Sequence, residues 1–139
     1  RFAKFSKNLL NHHSYSFLLM GEHERINGKT IVGLTENVRI TSSEGIFEEV
    51  VAKVDTGATK SSIDTKLATK LRLGPVIKSN VVKSAHGHQL RPVIEAGIFL
   101  AGKKTKAEFT LADRTHMKYK VLIGVNILEN GFLVDPSKR

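Results

Sequence analysis

The chain has 139 residues, of which 40% are hydrophobic and 25% charged, and it contains no cysteine. This length suits a single domain with its own core, and the composition is ordinary for a globular protein. The absence of cysteine excludes disulfides, thiolate metal sites and a cysteine nucleophile, and it fits a cytoplasmic location. No apolar run approaches the ~20 residues that a membrane-spanning helix needs.

The net charge is +9, from 22 Lys and Arg against 13 Asp and Glu, and this excess favours acidic partners. Nucleic acid, anionic lipid and acidic peptides are the candidate classes, and a lysine-rich solvated surface is the alternative. The basic residues are scattered, apart from a cluster at Lys103–Lys106 that we expect in a hairpin turn. No aromatic residue interleaves with this cluster, which argues against a base-stacking platform for nucleic acid.

Residues 1–28 are predicted to form an extension that precedes the domain. Phe2, Phe5 and Leu9 recur there at helical spacing in a basic context that is poor in acids. Such a start has the composition of a targeting segment. The alternatives are an extension that packs on the domain, one that frays, or a start site at Met20.

Residues 29–139 are predicted to form one domain of short strands separated by turns. Many short strands with one or two short helices indicate an all-β fold, and specifically a closed barrel. A turn is predicted at residues 42–45 and a short helical turn at 126–130. The predicted strands lie at residues 30–34, 38–40, 46–54, 76–83, 89–100, 106–112, 118–123 and 132–134.

One clear helix is predicted to begin at Asp64 and to stop at Gly74-Pro75. Asp can accept backbone N–H bonds as an N-cap, and Gly followed by Pro cannot continue a helix. Leu67, Ala68 and Leu71 then share one apolar face. This pattern predicts an amphipathic helix that packs on the barrel.

Other polar residues near these elements have ordinary structural interpretations. Ser61 and Ser62 have no base placed by the sequence, so we interpret them as strand residues rather than nucleophiles. Asp113 is expected to pair with its neighbour Arg114. Asp135 precedes a proline and is predicted to lie in a turn.

The strongest functional signal is the turn Asp55-Thr56-Gly57-Ala58, which follows an apolar strand. Two carboxylates a few Å apart share one proton, and together they can activate a water for peptide hydrolysis. The Thr56 hydroxyl could bond across a two-fold axis, Gly57 lets backbone approach closely, and Ala58 leaves space for substrate. The chain has one Asp-Thr-Gly, so such a dyad requires two copies.

A second segment strengthens this interpretation, because Asp-Thr-Gly alone also fits an ordinary β-turn. Val121-Leu122-Ile123-Gly124 is an apolar strand that ends in glycine, and Asn126-Ile127-Leu128 follows as a short helix. An apolar strand, a glycine and a helix in this order are consistent with the second loop of an aspartic-peptidase site.

The order of these segments resembles that of the retropepsins, the homodimeric aspartic proteases typified by retroviral proteases. Asp55–Ala58 comes first, a glycine-bearing hairpin at Ser84–His88 follows, and Val121–Leu128 comes last. The chain more specifically resembles the retropepsin-like family often labelled "ATP-dependent zinc protease", over roughly residues 29–138. The segments that carry this resemblance are Lys53–Ala58, Ser61-Ser62, Arg91-Pro92-Val93, Leu111–Arg114, Met117-Lys118-Tyr119, Leu122-Ile123-Gly124 and Val134–Ser137.

The resemblance implies a closed acid-protease barrel that works as a homodimeric aspartic-type endopeptidase. Asp55 of each copy would be catalytic, supported by Thr56 and Gly57, and the hairpin would be a flap that closes over a peptide. No cofactor is required. The expected substrate-binding residues are Ala58, Ser84, Ala85, His86, Gly87, Ile123 and Gly124.

The residues offer little support for the zinc and ATP of the family label. His86 and His88 could share one face of a strand, but no third ligand is evident nearby, so we predict no metal site. No phosphate loop is present, so any ATP dependence would come from a partner. The family is associated with an ATP-grasp glutamate ligase, which together with the charge of +9 suggests an acidic or glutamate-rich peptide substrate.

Two departures from retroviral proteases concern the dimer. Those proteins often place an acid after Asp-Thr-Gly-Ala and an arginine after the later glycine, where the two pair at the interface. Here Thr59 and Lys60 occupy the first place and Val125 the second, so dimer contacts must lie elsewhere.

A non-catalytic peptide-binding module on the same fold is the alternative function. Nucleic-acid binding is a third, and we expect no specific nucleic acid.

Overall fold

A computed structural model describes residues 23–138 as a barrel with a small second sheet. It contains ten strands and two short helices within that range. The strands are β1 (Arg25–Ile26), β2 (Lys29–Val32), β3 (Thr35–Thr41), β4 (Phe47–Val54), β5 (Ser61–Asp64), β6 (Lys78–Ser84), β7 (Gly87–Leu100), β8 (Lys103–Ala112), β9 (Val121–Ile123) and β10 (Phe132–Val134). The helices are α1 (Thr65–Lys70) and α2 (Val125–Leu128).

Six strands close the barrel in the order β3-β4-β9-β5-β8-β7, because β3 also pairs with β7. Most neighbours are antiparallel, but β4 pairs with β9 in parallel and β5 pairs with β8 in parallel. This arrangement confirms the predicted all-β barrel with short helices. The β4–β9 pair positions the site, because it brings the end of β4 beside the end of β9.

The barrel interior is filled by side chains that alternate along each strand. Ala52 and Val54 of β4 are buried, as are Val121 and Ile123 of β9, while the residues between them are more exposed. Phe109 is the largest of the fully buried side chains. The alternation that predicted strands from sequence is therefore the alternation that separates the core from the outer face.

Helix α1 is shorter than predicted, and its N-cap has a different role. The helix ends at Lys70, and Arg72 then adopts a positive φ of 58°, so the chain has already left the helix before Gly74. Asp64 occupies the N-cap position but makes no side-chain cap bond. Its Oδ1 instead accepts the backbone N–H of Arg114 at 2.7 Å, because this buried carboxylate lies beside that loop.

The predicted position of the lysine cluster in a turn is wrong. The turn between β7 and β8 is Ala101-Gly102, and Lys103–Lys106 begin β8. Ala101 has a φ of 50° and Gly102 a φ of 82°. A two-residue hairpin turn of this kind needs positive φ at both positions. Here a small residue, Ala101, and a glycine, Gly102, adopt those values.

The second sheet consists of β1, β2 and β10, with β10 parallel to β2. Its closing strand β10 lies where the sequence predicts it. β1 precedes the predicted start of the domain at residue 29, and the extension before residue 23 is outside the described residues. Asp135 lies in a turn after β10, where its Oδ1 accepts the Ser137 backbone N–H at 2.9 Å. Within residues 23–138, no helix has the length and apolar character to cross a bilayer.

Candidate active site

Asp55 is held at the end of a strand that is fixed on both sides. Its backbone N–H donates to the Ile123 carbonyl at 2.9 Å, and the N–H of Val54 donates to the Leu34 carbonyl at 2.9 Å. Val54 and Ile123 are direct partners in the β4–β9 ladder and are both buried. The carboxylate therefore sits on a rigid support, as a catalytic group requires.

The turn after Asp55 folds back on its carboxylate. Oδ1 of Asp55 accepts the Gly57 N–H at 2.9 Å, and the Ala58 N–H donates to the Asp55 carbonyl at 3.2 Å. A Cβ on Gly57 would lie 3.2 Å from Oδ1, which would crowd the carboxylate. Asp55 is half-buried, whereas Thr56 and Gly57 are exposed. The turn thus fixes one carboxylate oxygen and presents its tip to the outside.

The two predicted loops are joined by backbone hydrogen bonds. The Val125 N–H donates to the Ala58 carbonyl at 2.8 Å, and the Asn126 N–H donates to the Thr59 carbonyl at 3.1 Å. Gly124 lies in this contact, because a Cβ there would be 2.5 Å from the Lys60 carbonyl oxygen. The structure therefore brings Asp55, Ala58 and Gly124 together as one unit.

A buried polar network supports this unit from below. The Ser61 hydroxyl donates to Asn126 Oδ1 at 2.7 Å and accepts the Gly124 N–H at 2.9 Å. Asn126 also accepts the Ser61 N–H at 2.9 Å and donates through Nδ2 to the Glu108 carbonyl at 3.0 Å. Sequence reasoning placed Ser61 correctly in a strand but missed Asn126. The available signal was a lone amide in an otherwise apolar helical turn directly after Gly124.

The outer face of the same strands carries a row of three side chains beside Asp55. Lys53 of β4 is paired with Leu122 of β9, which is paired with Ser62 of β5. Directly paired residues project to the same side of a sheet, and Val54 and Ile123 occupy the opposite, buried side. Lys53, Leu122 and Ser62 therefore form one row, and we call this outer surface the groove face.

Asp113 and Arg114 do not pair with each other, contrary to the sequence prediction. Asp113 Oδ1 accepts the Thr115 N–H at 3.0 Å, and hydrogen bonds from the Thr115 side chain and backbone hold the pKa of Asp113 below its usual value. The Arg114 side chain turns away, and its Nε donates to the Tyr119 carbonyl at 2.9 Å. Local turn geometry satisfies Asp113, so Arg114 is available for another role.

The predicted flap is a two-stranded projection from the barrel. β6 pairs with β7 from Lys78↔Val93 to Ser84↔Gly87, so the tip is Ala85 and His86, both exposed. Gly87 has a φ of 113°, a conformation that favours glycine. The hairpin therefore exists as predicted, with a tighter tip than the Ser84–His88 segment, and its contact with a peptide stays a prediction.

The residues described provide no ready metal centre. Across residues 23–138, no three His, Asp or Glu side chains are grouped so as to hold a metal ion. His86 and His88 are both exposed on the flap.

A cavity of about 590 Å³ is lined by the turn before β4, the root of the flap and Lys104–Lys106, and no residue of the Asp55 turn lines it.

Comparison with known proteins identifies the family. The chain matches the family model RimB-like, described as retropepsin-like aspartic endopeptidase RimB, over residues 63–139. Two curated relatives, probable alpha-L-glutamate ligases of Shewanella pealeana and Shewanella halifaxensis, are 38% and 39% identical over 64 residues. That match covers 45% of this chain, and the chain spans only 14% of the length of these relatives.

Solved structures share the fold at low sequence identity. EIAV protease in complex with the inhibitor HBY-793 has a TM-score of 0.54 at 21% identity, covering 69% of this chain and 85% of that one. Simian foamy virus (mac) protease has a TM-score of 0.52 at 18% identity, covering 68% and 91%. A Legionella pneumophila protein of unknown function, Lpg0085, has a TM-score of 0.52 at 22% identity, covering 76% and 92%.

These structures agree with the barrel described above. The family model covers more than half of the chain and begins at Ile63, just after the Asp55 turn. The chain belongs to the RimB-like family of retropepsin-like aspartic endopeptidases.

Proposed function

We propose that this protein is a homodimeric aspartic peptidase in which Asp55 of each copy forms the catalytic dyad. The observation that carries this proposal is that backbone hydrogen bonds join the two loops. The Asp55 N–H donates to the Ile123 carbonyl, and the Val125 N–H donates to the Ala58 carbonyl. The Asp55 carboxylate is therefore held in place while the tip of its turn stays exposed. One chain supplies one such carboxylate, and a second copy completes the pair.

The chemistry follows from placing two carboxylates close together. They cannot both ionise comfortably, so one holds a proton and the other is charged. The charged carboxylate removes a proton from a trapped water as the water oxygen adds to the carbonyl carbon of the peptide, and the protonated carboxylate donates its proton to the carbonyl oxygen. The amide nitrogen of the resulting tetrahedral intermediate then takes the proton that came from water and leaves as the C–N bond breaks, while a hydroxyl proton of the intermediate returns to the other carboxylate. The hydrogen bond from the Gly57 N–H to Asp55 Oδ1 orients the carboxylate for this exchange. Thr56 is exposed at the tip of the turn, and in the proposed dimer its hydroxyl bonds to the second copy.

We further propose that the substrate is an acidic, glutamate-rich peptide. The net charge of +9 would attract such a chain. The match to segments of probable alpha-L-glutamate ligases indicates the same class of substrate, because a ligase of that name would make glutamate-containing products. A functional link to such a ligase in the cytoplasm, and closure of the flap over the peptide, belong to this proposal.

Replacement of Asp55 by asparagine tests the proposal directly. The substituted amide keeps the shape of the side chain and can still accept from the Gly57 N–H, but it cannot hold the negative charge of the dyad. We expect Asp55→Asn to abolish hydrolysis of a glutamate-rich peptide while leaving the melting temperature and peptide binding nearly unchanged. Wild-type protein that binds peptides tightly and never cleaves them would instead indicate a binding module.

Mixing the two proteins tests whether the site is shared. If each site needs one Asp55 from each copy, an equal and fully exchanged mixture of wild type and Asp55→Asn retains about a quarter of the activity of undiluted wild type. If each copy instead had an independent site, the mixture would retain about half of that activity. The control is wild type mixed with an equal amount of Lys29→Gln, since Lys29 is exposed on the small sheet and this variant should support full activity.

A further inference from the structure

Arg114 lies over the groove face. Its Nη1 is 3.5 Å from the hydroxyl of Ser62, which belongs to the row formed with Leu122 and Lys53. Asp55 is two residues beyond Lys53, and its N–H continues the ladder to Ile123, so its side chain projects to the same side as Lys53. The guanidinium and the candidate catalytic carboxylate therefore share one surface.

The backbone around Arg114 is unusually well fixed for a loop. The Arg114 N–H donates to the buried carboxylate of Asp64 at 2.7 Å. The ammonium of Lys120 donates to the carbonyls of Arg114 at 2.9 Å, Thr115 at 2.7 Å and Met117 at 3.1 Å. With the bond from Nε to Tyr119, these contacts set the position of the guanidinium before any ligand arrives. A site with this degree of preorganisation loses little entropy on binding.

The charge of Arg114 is not neutralised within the described part of the chain. No carboxylate of residues 23–138 forms an ion pair with it, although its side chain is partly buried. Burial lowers the pKa of the Arg114 guanidinium from its ordinary value, and the Asp64 and Asp55 carboxylates favour the charged form. A partly desolvated guanidinium whose remaining planar Nη donors have no partner among the described residues is suited to a carboxylate, which it can bind with two parallel hydrogen bonds.

We propose that Arg114 is a specificity-determining residue whose guanidinium binds the carboxylate of an acidic side chain of the peptide, beside Asp55. This inference rests on the proposed function, because it assigns a subsite to the same groove. Tyr119 and Ser62 contact the guanidinium through Nε and Nη1, which leaves its other Nη donors for the peptide. Lys53, half-buried on the same face, adds a second positive charge that is more flexible.

The test uses peptides in which one Glu at a time is replaced by Gln. A hydrogen-bonded charge contributes roughly 1.5–3 kcal/mol, so wild type should prefer Glu over Gln at one position by about 10- to 150-fold in kcat/KM. Arg114→Gln should reduce that ratio to near one at that position only. Arg114→Lys should keep part of the Glu-to-Gln ratio, because an ammonium retains the positive charge but cannot form two parallel hydrogen bonds with a carboxylate. Lys29→Gln, which removes one exposed charge from the small sheet, should keep the full ratio.

Two further measurements separate this proposal from its alternatives. The first is the dissociation constant of the Glu and Gln peptides, measured for Asp55→Asn and for the double variant Asp55→Asn/Arg114→Gln. It gives the preference for Glu over Gln in the absence of catalysis. An Arg114-dependent Glu preference in binding, with no hydrolysis by wild type, would refute the proposed function but support this subsite. An unchanged Glu-to-Gln ratio in a folded Arg114→Gln protein, confirmed by its melting curve, would overturn the inference. If that variant does not fold, an unchanged ratio in Arg114→Lys overturns it.

Discussion

Gly124 lies where the two loops of the candidate site come closest. A Cβ there would be 2.5 Å from the Lys60 carbonyl oxygen and 2.7 Å from the Ala58 carbonyl oxygen. Both obstacles are backbone atoms, so they cannot rotate aside as a side chain would. The residue is therefore required by the close approach of two chain segments, which also carries the hydrogen bond from Val125 to Ala58.

We predict that Gly124→Ala destabilises the protein by about 2 kcal/mol or more, because the loops must separate to admit the methyl group. Thermal melting measures the loss, and hydrolysis should fall with it. Gly97→Ala is the matched control, since its Cβ would meet the Thr41 carbonyl oxygen at 3.4 Å, an ordinary contact. Equal melting temperatures for the two variants would contradict the account.

Residues with a local chemical signature could be predicted from the sequence, and residues whose role depends on distant partners could not. The Asp55 turn and Gly124 are marked by their own neighbours along the chain. Asn126 takes its role from Ser61, 65 positions away, and its own neighbours along the chain marked it only as a lone amide in an apolar helical turn. The sequence likewise suggested local roles for Asp64 as a cap and for Arg114 as a partner of Asp113, whereas Asp64 is bonded to the loop of Arg114, 50 positions away.

At the scale of elements, β6 differs from the barrel strands because it has one neighbour. It pairs with β7 alone among the strands of residues 23–138, whereas β9 lies between β4 and β5. Val81 and Leu90 are paired across the hairpin and both are exposed, so little apolar burial holds the two strands to the body. Elements with few buried contacts open at low free energy.

We predict that backbone amides of β6 exchange with solvent deuterium much faster than those of β9. The physical reason is that β6 opens locally, whereas β9 is freed only when the barrel unfolds. Hydrogen exchange read by mass spectrometry after pepsin digestion compares the two strands in one sample. Saturation with an uncleaved peptide should slow exchange in β6 if the flap closes on it. Equal exchange rates in the two strands without ligand would contradict a mobile flap.

The fold was largely predictable at this scale because alternating buried and exposed residues define strands. The turn between β7 and β8 was not, since lysines suggested a loop while the chain turned at Ala101-Gly102. Strand pairing also lay beyond the sequence. The parallel pairing of β4 with β9 joins segments far apart in the chain, and the periodicity within each strand carries no information about that partner.

At the scale of the whole molecule, the charge of +9 bears on association. Two copies carry the same excess, so they repel each other at long range, and dissolved salt screens such repulsion. Thr59 and Lys60 on one side and Val125 on the other lack the acid–arginine pair that retroviral proteases use at their interface. The proposed dimer should therefore be held mainly by contacts other than that ion pair.

We predict that the dimer tightens as sodium chloride rises from about 0.05 to 0.5 M, because screening removes the mutual repulsion. Sedimentation across a range of protein concentrations gives the dissociation constant at each salt concentration. The change should have the same direction in Asp55→Asn, which adds only one positive charge to each copy and serves as a control without turnover. A dimer that weakens with salt would indicate an interface built on ion pairs.

The second edge of β6 carries a further consequence. Backbone groups on an unpaired strand edge can template the addition of another chain, which is a common route to aggregation. The exposed apolar side chains of Val81 and Leu90 beside that edge add to the hazard, whereas the exposed Lys83 places a positive charge on the same strand. We therefore expect the positive charge of the hairpin to oppose such addition, independently of any substrate.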